Sequence, residues 1–97
     1  MNHLQKRYRP DPAIVSREIA GETILVPIRQ SASDLESIYT LDEVGGRIWE
    51  LLDGQRTVAE VRDAIVAEYD VSPQEAEADL LELLEQLEAI GVLQAVS

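Results

Sequence analysis

Apolar residues recur at helical spacing through the second half of the chain. Val44, Ile48, Leu51 and Leu52, with Trp49 beside them, outline one helix, and Val58, Val61, Ile65 and Tyr69 a second. Ala76, Leu80, Leu83, Leu87 and Ile90 outline a third, whose alternating steps of four and three describe a continuous seam. Each run is preceded by a start signal. Thr40-x-x-Glu43, Thr57-x-x-Glu60 and Ser72-x-x-Glu75 fit the reciprocal capping box, in which two side chains satisfy N–H groups that the helix leaves orphaned. Pro73 falls at a first helical position, where its missing N–H costs nothing. Gly54 and Gly91 follow the first and third runs, as left-handed helix ends require.

The first half alternates instead. Residues 14–19 and 23–28 are β-rich segments around Ala20-Gly21-Glu22, and Gly21 tolerates the positive φ of a hairpin turn. Ile24, Val26 and Ile28 share one face by the period of two. A polar loop from Arg29 to Glu36 leads to a third short strand, Ser37-Ile38-Tyr39-Thr40-Leu41. Strands first and helices after predict an α+β domain, a three-stranded antiparallel sheet followed by three helices packed on one of its faces. Residues 1–12 carry Lys6, Arg7 and Arg9 and end at Pro10 and Pro12, so they read as a flexible basic arm ahead of a single domain over 13–97.

Composition narrows the function. At 97 residues the chain has room for one core, and with no Phe and one Trp that core is built from Leu, Ile, Val and Ala. No apolar run is long enough to cross a bilayer, and no apolar stretch follows the charged start as a secretory signal would need. The expectation is a cytoplasmic protein. Nineteen acidic against eight basic residues give a net charge of −11, which repels phosphate backbones and argues against nucleic acid even for a helix-turn-helix body. From Asp63 onward there are nine acids and no Lys or Arg. That imbalance favours a partner carrying basic groups, or serves solubility alone.

Catalysis has few candidates. The only histidine is His3 in the arm, and there is no cysteine, no zinc-protease motif, no phosphate loop and no calcium loop. Acidic pairs such as Asp42-Glu43 read as solvated surface in so acidic a chain. No cofactor or metal site is expected, and the protein is not expected to be an enzyme. Gly45-Gly46 falls inside the first helix, where it would admit the close approach of another backbone.

The third helix has more leucine than a core needs. Leu81 lies about 100° around the helix from Leu80, and Leu84 toward the edge of the seam, with Glu77 and Glu88 flanking them. An apolar strip bordered by acids suits a groove for an amphipathic, partly basic peptide. It equally suits packing against the sheet or arm, or a dimer contact.

Residues 41–93 resemble the PqqD-like family, the small proteins known as RiPP recognition elements. The resemblance is carried by Leu41-Asp42-Glu43-Val44-Gly45-Gly46-Arg47-Ile48-Trp49-Glu50-Leu51-Leu52-Asp53-Gly54, by Thr57-Val58-Ala59-Glu60-Val61 and by Glu68-Tyr69-Asp70-Val71. It continues in Glu77-Ala78-Asp79-Leu80-Leu81 and closes in Ile90-Gly91-Val92-Leu93. It implies a winged helix-turn-helix-like body that binds the leader segment of a ribosomally made precursor peptide and presents it to a modifying enzyme, often a radical SAM protein. The leader would add as a strand to Ser37, Ile38, Tyr39, Thr40 and Leu41 and lie against the helix from Pro73 to Ile90, at Glu77, Leu81, Leu84 and Glu88. Asp42 stands where the family often has Asn, and Leu25-Val26-Pro27-Ile28-Arg29 with its polar loop is unlike the members dedicated to pyrroloquinoline quinone, so another peptide is the expected cargo. The rival readings are a homodimerisation module that uses the seam and Leu81 for self-association, and a winged-helix regulator that the charge opposes.

Overall fold

The computed structural model describes residues 3–27 and 39–96. A 3-10 turn at His3–Gln5 leads into β1 (Arg7–Pro10), β2 (Ile14–Ile19), β3 (Glu22–Pro27) and β4 (Tyr39–Leu41). Three helices follow, α1 (Glu43–Leu51), α2 (Val58–Glu68) and α3 (Pro73–Ala89), and the chain returns in β5 (Leu93–Val96). The α+β class and the three-stranded antiparallel sheet, in the order β2-β3-β4, are as expected. A second, two-stranded sheet pairs β1 with β5.

That second sheet corrects the reading of residues 1–12 as an arm. Antiparallel pairing joins Arg7 to Val96 and Tyr8 to Ala95. The opposite edge of β1 is held as well, by Gly54 N–H on the Tyr8 carbonyl at 2.8 Å and Val58 N–H on that of Lys6 at 2.9 Å. Tyr8 is only 3% exposed, in the same core as Leu52, Val58, Leu84 and Leu87. Prolines at 10 and 12 do exclude helix, but an extended segment needs no helix to be anchored. One aromatic at the centre of a short strand is enough apolar area to hold it down.

The hairpin turns through Ala20 and Gly21, both at positive φ (53° and 83°), between the paired residues Ile19 and Glu22. Two left-handed residues match the twist of the flanking strands. The core face of this sheet is carried by Leu25, with Leu41 beside it. Ile24 and Val26 share the opposite, outward face, with Val15 and Ile19, which are 38% and 55% exposed. Ile28 lies outside the described residues.

Helix starts follow the sequence with two corrections. Thr57 and Glu60 form the full capping box of α2, with Thr57 N–H on Glu60 Oε1 at 2.8 Å. Ser72 caps α3 by accepting from Glu75 N–H, with Pro73 next to it, but only this half of the expected box is formed. Thr40, however, is committed to β4, and Asp42 caps α1 by accepting from Gly45 N–H at 2.8 Å. A carboxylate directly before the first turn also meets the positive end of the helix dipole. At its end α3 leaves through Gly91 at φ 81°, as expected.

Packing seats the sheet on the helices. A Cβ on Gly46 would strike the Thr23 side chain, so the helical Gly-Gly admits a strand side chain rather than a backbone. The buried stripe of α3 is Ala76, Leu80, Leu84 and Leu87. Leu83, expected in the seam, is only partly buried, and Ile90 is exposed.

Candidate functional site

β4 is an edge of its sheet. One side pairs with β3 through Thr23–Leu41, Ile24–Thr40 and Leu25–Tyr39, and no strand lies on the other among the described residues. Its free N–H and C=O groups therefore face an opening between the strand and α3. This groove, about 480 Å³, has Val44, Ile48, Ile65, Val71 and Leu83 on its apolar floor and Asp42, Asp79, Glu82 and Gln86 on its rim. Alternation sets the strand's contribution. Tyr39 and Leu41 turn inward, Leu41 into the core, while Thr40 is exposed.

One hydrogen-bond chain spans the groove at its Tyr39 end. Tyr39 O–H donates to Gln86 Oε1 at 2.6 Å, and Gln86 Nε2 donates to Glu82 Oε1 at 3.4 Å. The strand edge and the helix are thereby held at a fixed separation, and the amide is oriented by having one partner on each end.

The sequence-predicted site residues divide between two places. Tyr39, Thr40 and Leu41 line this groove, and Ser37 and Ile38 lie outside the described residues. Leu81, Leu84 and Glu88 do not meet them. They line a separate concavity of about 490 Å³ on the other flank of α3, with Tyr8, Glu85 and Ala89. There Tyr8 O–H donates to Glu88 Oε1 at 3.3 Å. Burial first, then the charge and hydrogen bond of Glu88, raise the phenol above its ordinary 10.0. Glu77 is taken by Arg62, whose Nη1 lies 2.9 Å away. The helix residues that do face β4 are Asp79, Glu82, Leu83 and Gln86.

Helical geometry explains the exchange of flanks. About 100° per residue puts Leu83, Asp79, Gln86 and Glu82 on one side of the Leu80–Leu84–Leu87 stripe, and Glu77, Glu88, Leu81 and Glu85 on the other. Each flank offers one leucine among acids. The position of Leu84 in the core could have been weighed by the even spacing of Ala76, Leu80 and Leu84, but the strand that decides between the flanks is a tertiary neighbour.

Charge compensation is uneven. Arg47 clamps Glu68 with two bonds of 2.7 and 2.8 Å, which hold that carboxylate below its usual range. Arg56 meets Asp53, and Arg62 meets Asp63 and Glu77. None of the ion pairs among the described residues reaches Asp79 or Glu82. No group of three or more His, Asp or Glu there is arranged to hold a metal ion, and no helix is long and apolar enough to cross a membrane.

No curated protein is significantly similar to the chain. Among solved structures, TbiB1 in complex with the TbiA(beta) leader peptide is 34% identical, with 89% of this chain and 94% of that one covered at a TM-score of 0.74. The family model described as Coenzyme PQQ synthesis protein D (PqqD) matches residues 22–93, from β3 through the start of β5. On that match the chain belongs to the PqqD family.

Proposed function

We propose that this protein is a non-catalytic peptide chaperone, a RiPP recognition element that binds the leader of a ribosomally made precursor by strand addition at β4. The observation that carries the reading is the free β4 edge beside an apolar groove closed on its far side by α3. Backbone groups on an open edge give affinity with little regard to sequence, and pockets for alternate side chains give selectivity. Family membership and the likeness to TbiB1, solved with a leader peptide, support the same conclusion. The bound leader would be handed to a modifying enzyme, of the radical SAM type by family resemblance, in the cytoplasm. Tyr39, Thr40, Leu41, Asp79, Glu82, Leu83 and Gln86 are the contacts in this reading.

Leader titration followed by ¹⁵N NMR tests it. Shifts should centre on Tyr39 to Leu41 and on Asp79 to Gln86. N-methylation of alternate leader amides should abolish binding, because it removes the donors of the added ladder. Leu83→Glu should weaken binding at least about tenfold, a loss of about 1.4 kcal/mol, while Leu81→Glu leaves it unchanged and both variants keep the native circular dichroism. Equal loss from the two leucines, or shifts confined to the Tyr8 side of α3, would refute the groove.

One observation favours self-association alongside this role. The outward sheet face joins exposed Val15 and Ile19 to Ile24 and Val26, with one cation, Arg17, and one anion, Glu22. Such a face is self-complementary about a twofold axis. Size-exclusion over a concentration series checks it, and a Val15→Lys variant should stay monomeric throughout.

A further inference from the structure

We infer that the groove selects leaders whose bound segment carries a basic residue followed, two positions later, by an aliphatic one. This rests on the peptide-binding reading above and adds the chemistry and direction of the ligand. Charge points to a basic residue in the ligand. Arginines pair with acids at the α1–α2 contact, in the turn before α2 and at Glu77 on the far flank of α3, while Asp79 and Glu82, like Glu85 and Glu88 on that far flank, have no ion pair among the described residues. Asp79 and Glu82 line the groove, and Asp42 adds a third carboxylate to its rim, one oxygen of which already accepts from Gly45 N–H.

Spacing along α3 sets where the aliphatic residue falls. Asp79 and Leu83 are four residues apart on α3, a rise of about 6 Å. In an extended peptide the side chains at i and i+2 share a face and stand about 7 Å apart. A strand alongside β4 therefore places one side chain at Asp79 and the next on the same face at Leu83, with the residue between them turned away.

Direction follows from the Tyr39–Gln86 bond. It fixes the start of β4 against the C-terminal half of α3, so the strand runs from Gln86 toward Asp42 and Asp79. A peptide added antiparallel to β4, as every strand pair among the described residues is, enters at Asp79 and leaves at Gln86. Its basic residue comes first and its aliphatic residue second. Glu82, oriented by the Gln86 amide, lies between them on the solvent side and adds to the field that a Lys or Arg experiences.

Selection from a random linear peptide library displayed on phage, run against the intact chain, tests this without knowing the natural leader. Recovered binders should be enriched in Lys or Arg two positions before Leu, Ile or Val. For the synthetic form of the best binder, exchanging the basic residue for Glu should weaken binding about tenfold at low salt, since attraction at exposed carboxylates turns into repulsion. The ratio should shrink in 0.5 M salt, where the screening length falls to about 4 Å. It should shrink to near unity in an Asp79→Asn, Glu82→Gln double variant. An aliphatic motif with no basic preference, or equal binding of the order-reversed peptide, overturns this inference and leaves the groove intact as a peptide site. Binders indifferent to Leu83→Glu overturn both.

Discussion

A single methyl group probes how the sheet is held on the helices. Gly46→Ala directs a Cβ into the stiff, β-branched Thr23, which has no flexible end to yield. The expected cost is about 1–3 kcal/mol, read from a urea midpoint, and Thr23→Ala in the same background should restore part of it by removing the hydroxyl that the new Cβ meets. Ala20 is the opposite case, a residue with a Cβ at φ 53° that has to be left-handed. Ala20→Gly or Ala20→Asn should stabilise by about 0.5–1 kcal/mol, seen as a rise in the melting temperature without any change in peptide binding. Tyr8 is the third telling residue. Tyr8→Ala should cost about 3–5 kcal/mol, far beyond the effect of truncating a mobile arm.

Among the elements, helices were the legible part of the sequence, because a cap and a period of 3.6 are local. Thr57, Glu60, Ser72 and Pro73 all stand where the pattern put them. The flank of α3 that meets the strand was not legible, since leucines at 80, 81, 83 and 84 satisfy several seams at once, and only the position of β4 separates them. For the same reason the site expected from the sequence joined Tyr39, Thr40 and Leu41 to Leu81, Leu84 and Glu88, which line two separate concavities. β1 and β5 were missed because each is four residues long and each makes sense only beside the other. The acids at the helix ends carry a pH prediction. Thr57 N–H, and then its hydroxyl, hold the Glu60 carboxylate below 4.5, and the backbone N–H groups of Gln55 and Arg56 do the same for Asp53. Depressed carboxylates bind protons more weakly folded than unfolded, so their contribution is present above the unfolded value and lost as pH falls through the lower folded one. Stability should therefore drop between about pH 5 and pH 3, and Thr57→Ala should make that drop shallower when urea midpoints are compared.

For the whole molecule, the ion pairs among the described residues engage Glu50, Asp53, Asp63, Glu68 and Glu77, and the acids along the groove stay unpaired within a strongly acidic surface. Encounter with a cationic leader should accelerate as salt is lowered, while dissociation, governed by the strand ladder and the apolar floor, changes little. Stopped-flow association rates across an ionic-strength series measure this directly. A rate independent of salt would mean that the acids serve solubility alone.

The clasp between β1 and β5 also dictates when the domain can close. β1 is synthesised before everything that binds it: Gly54, Val58 and then Leu93 to Val96. During translation it waits, with Tyr8 uncovered, until β5 has emerged, so the core cannot be sealed before that strand is made. The same closure brings residues 7 and 96 side by side, on the flank of α3 that faces away from the groove. A domain joined at either end would then emerge at one point, and a short tether between them with a new opening at the Ala20–Gly21 turn should yield a permutant that still folds and still binds.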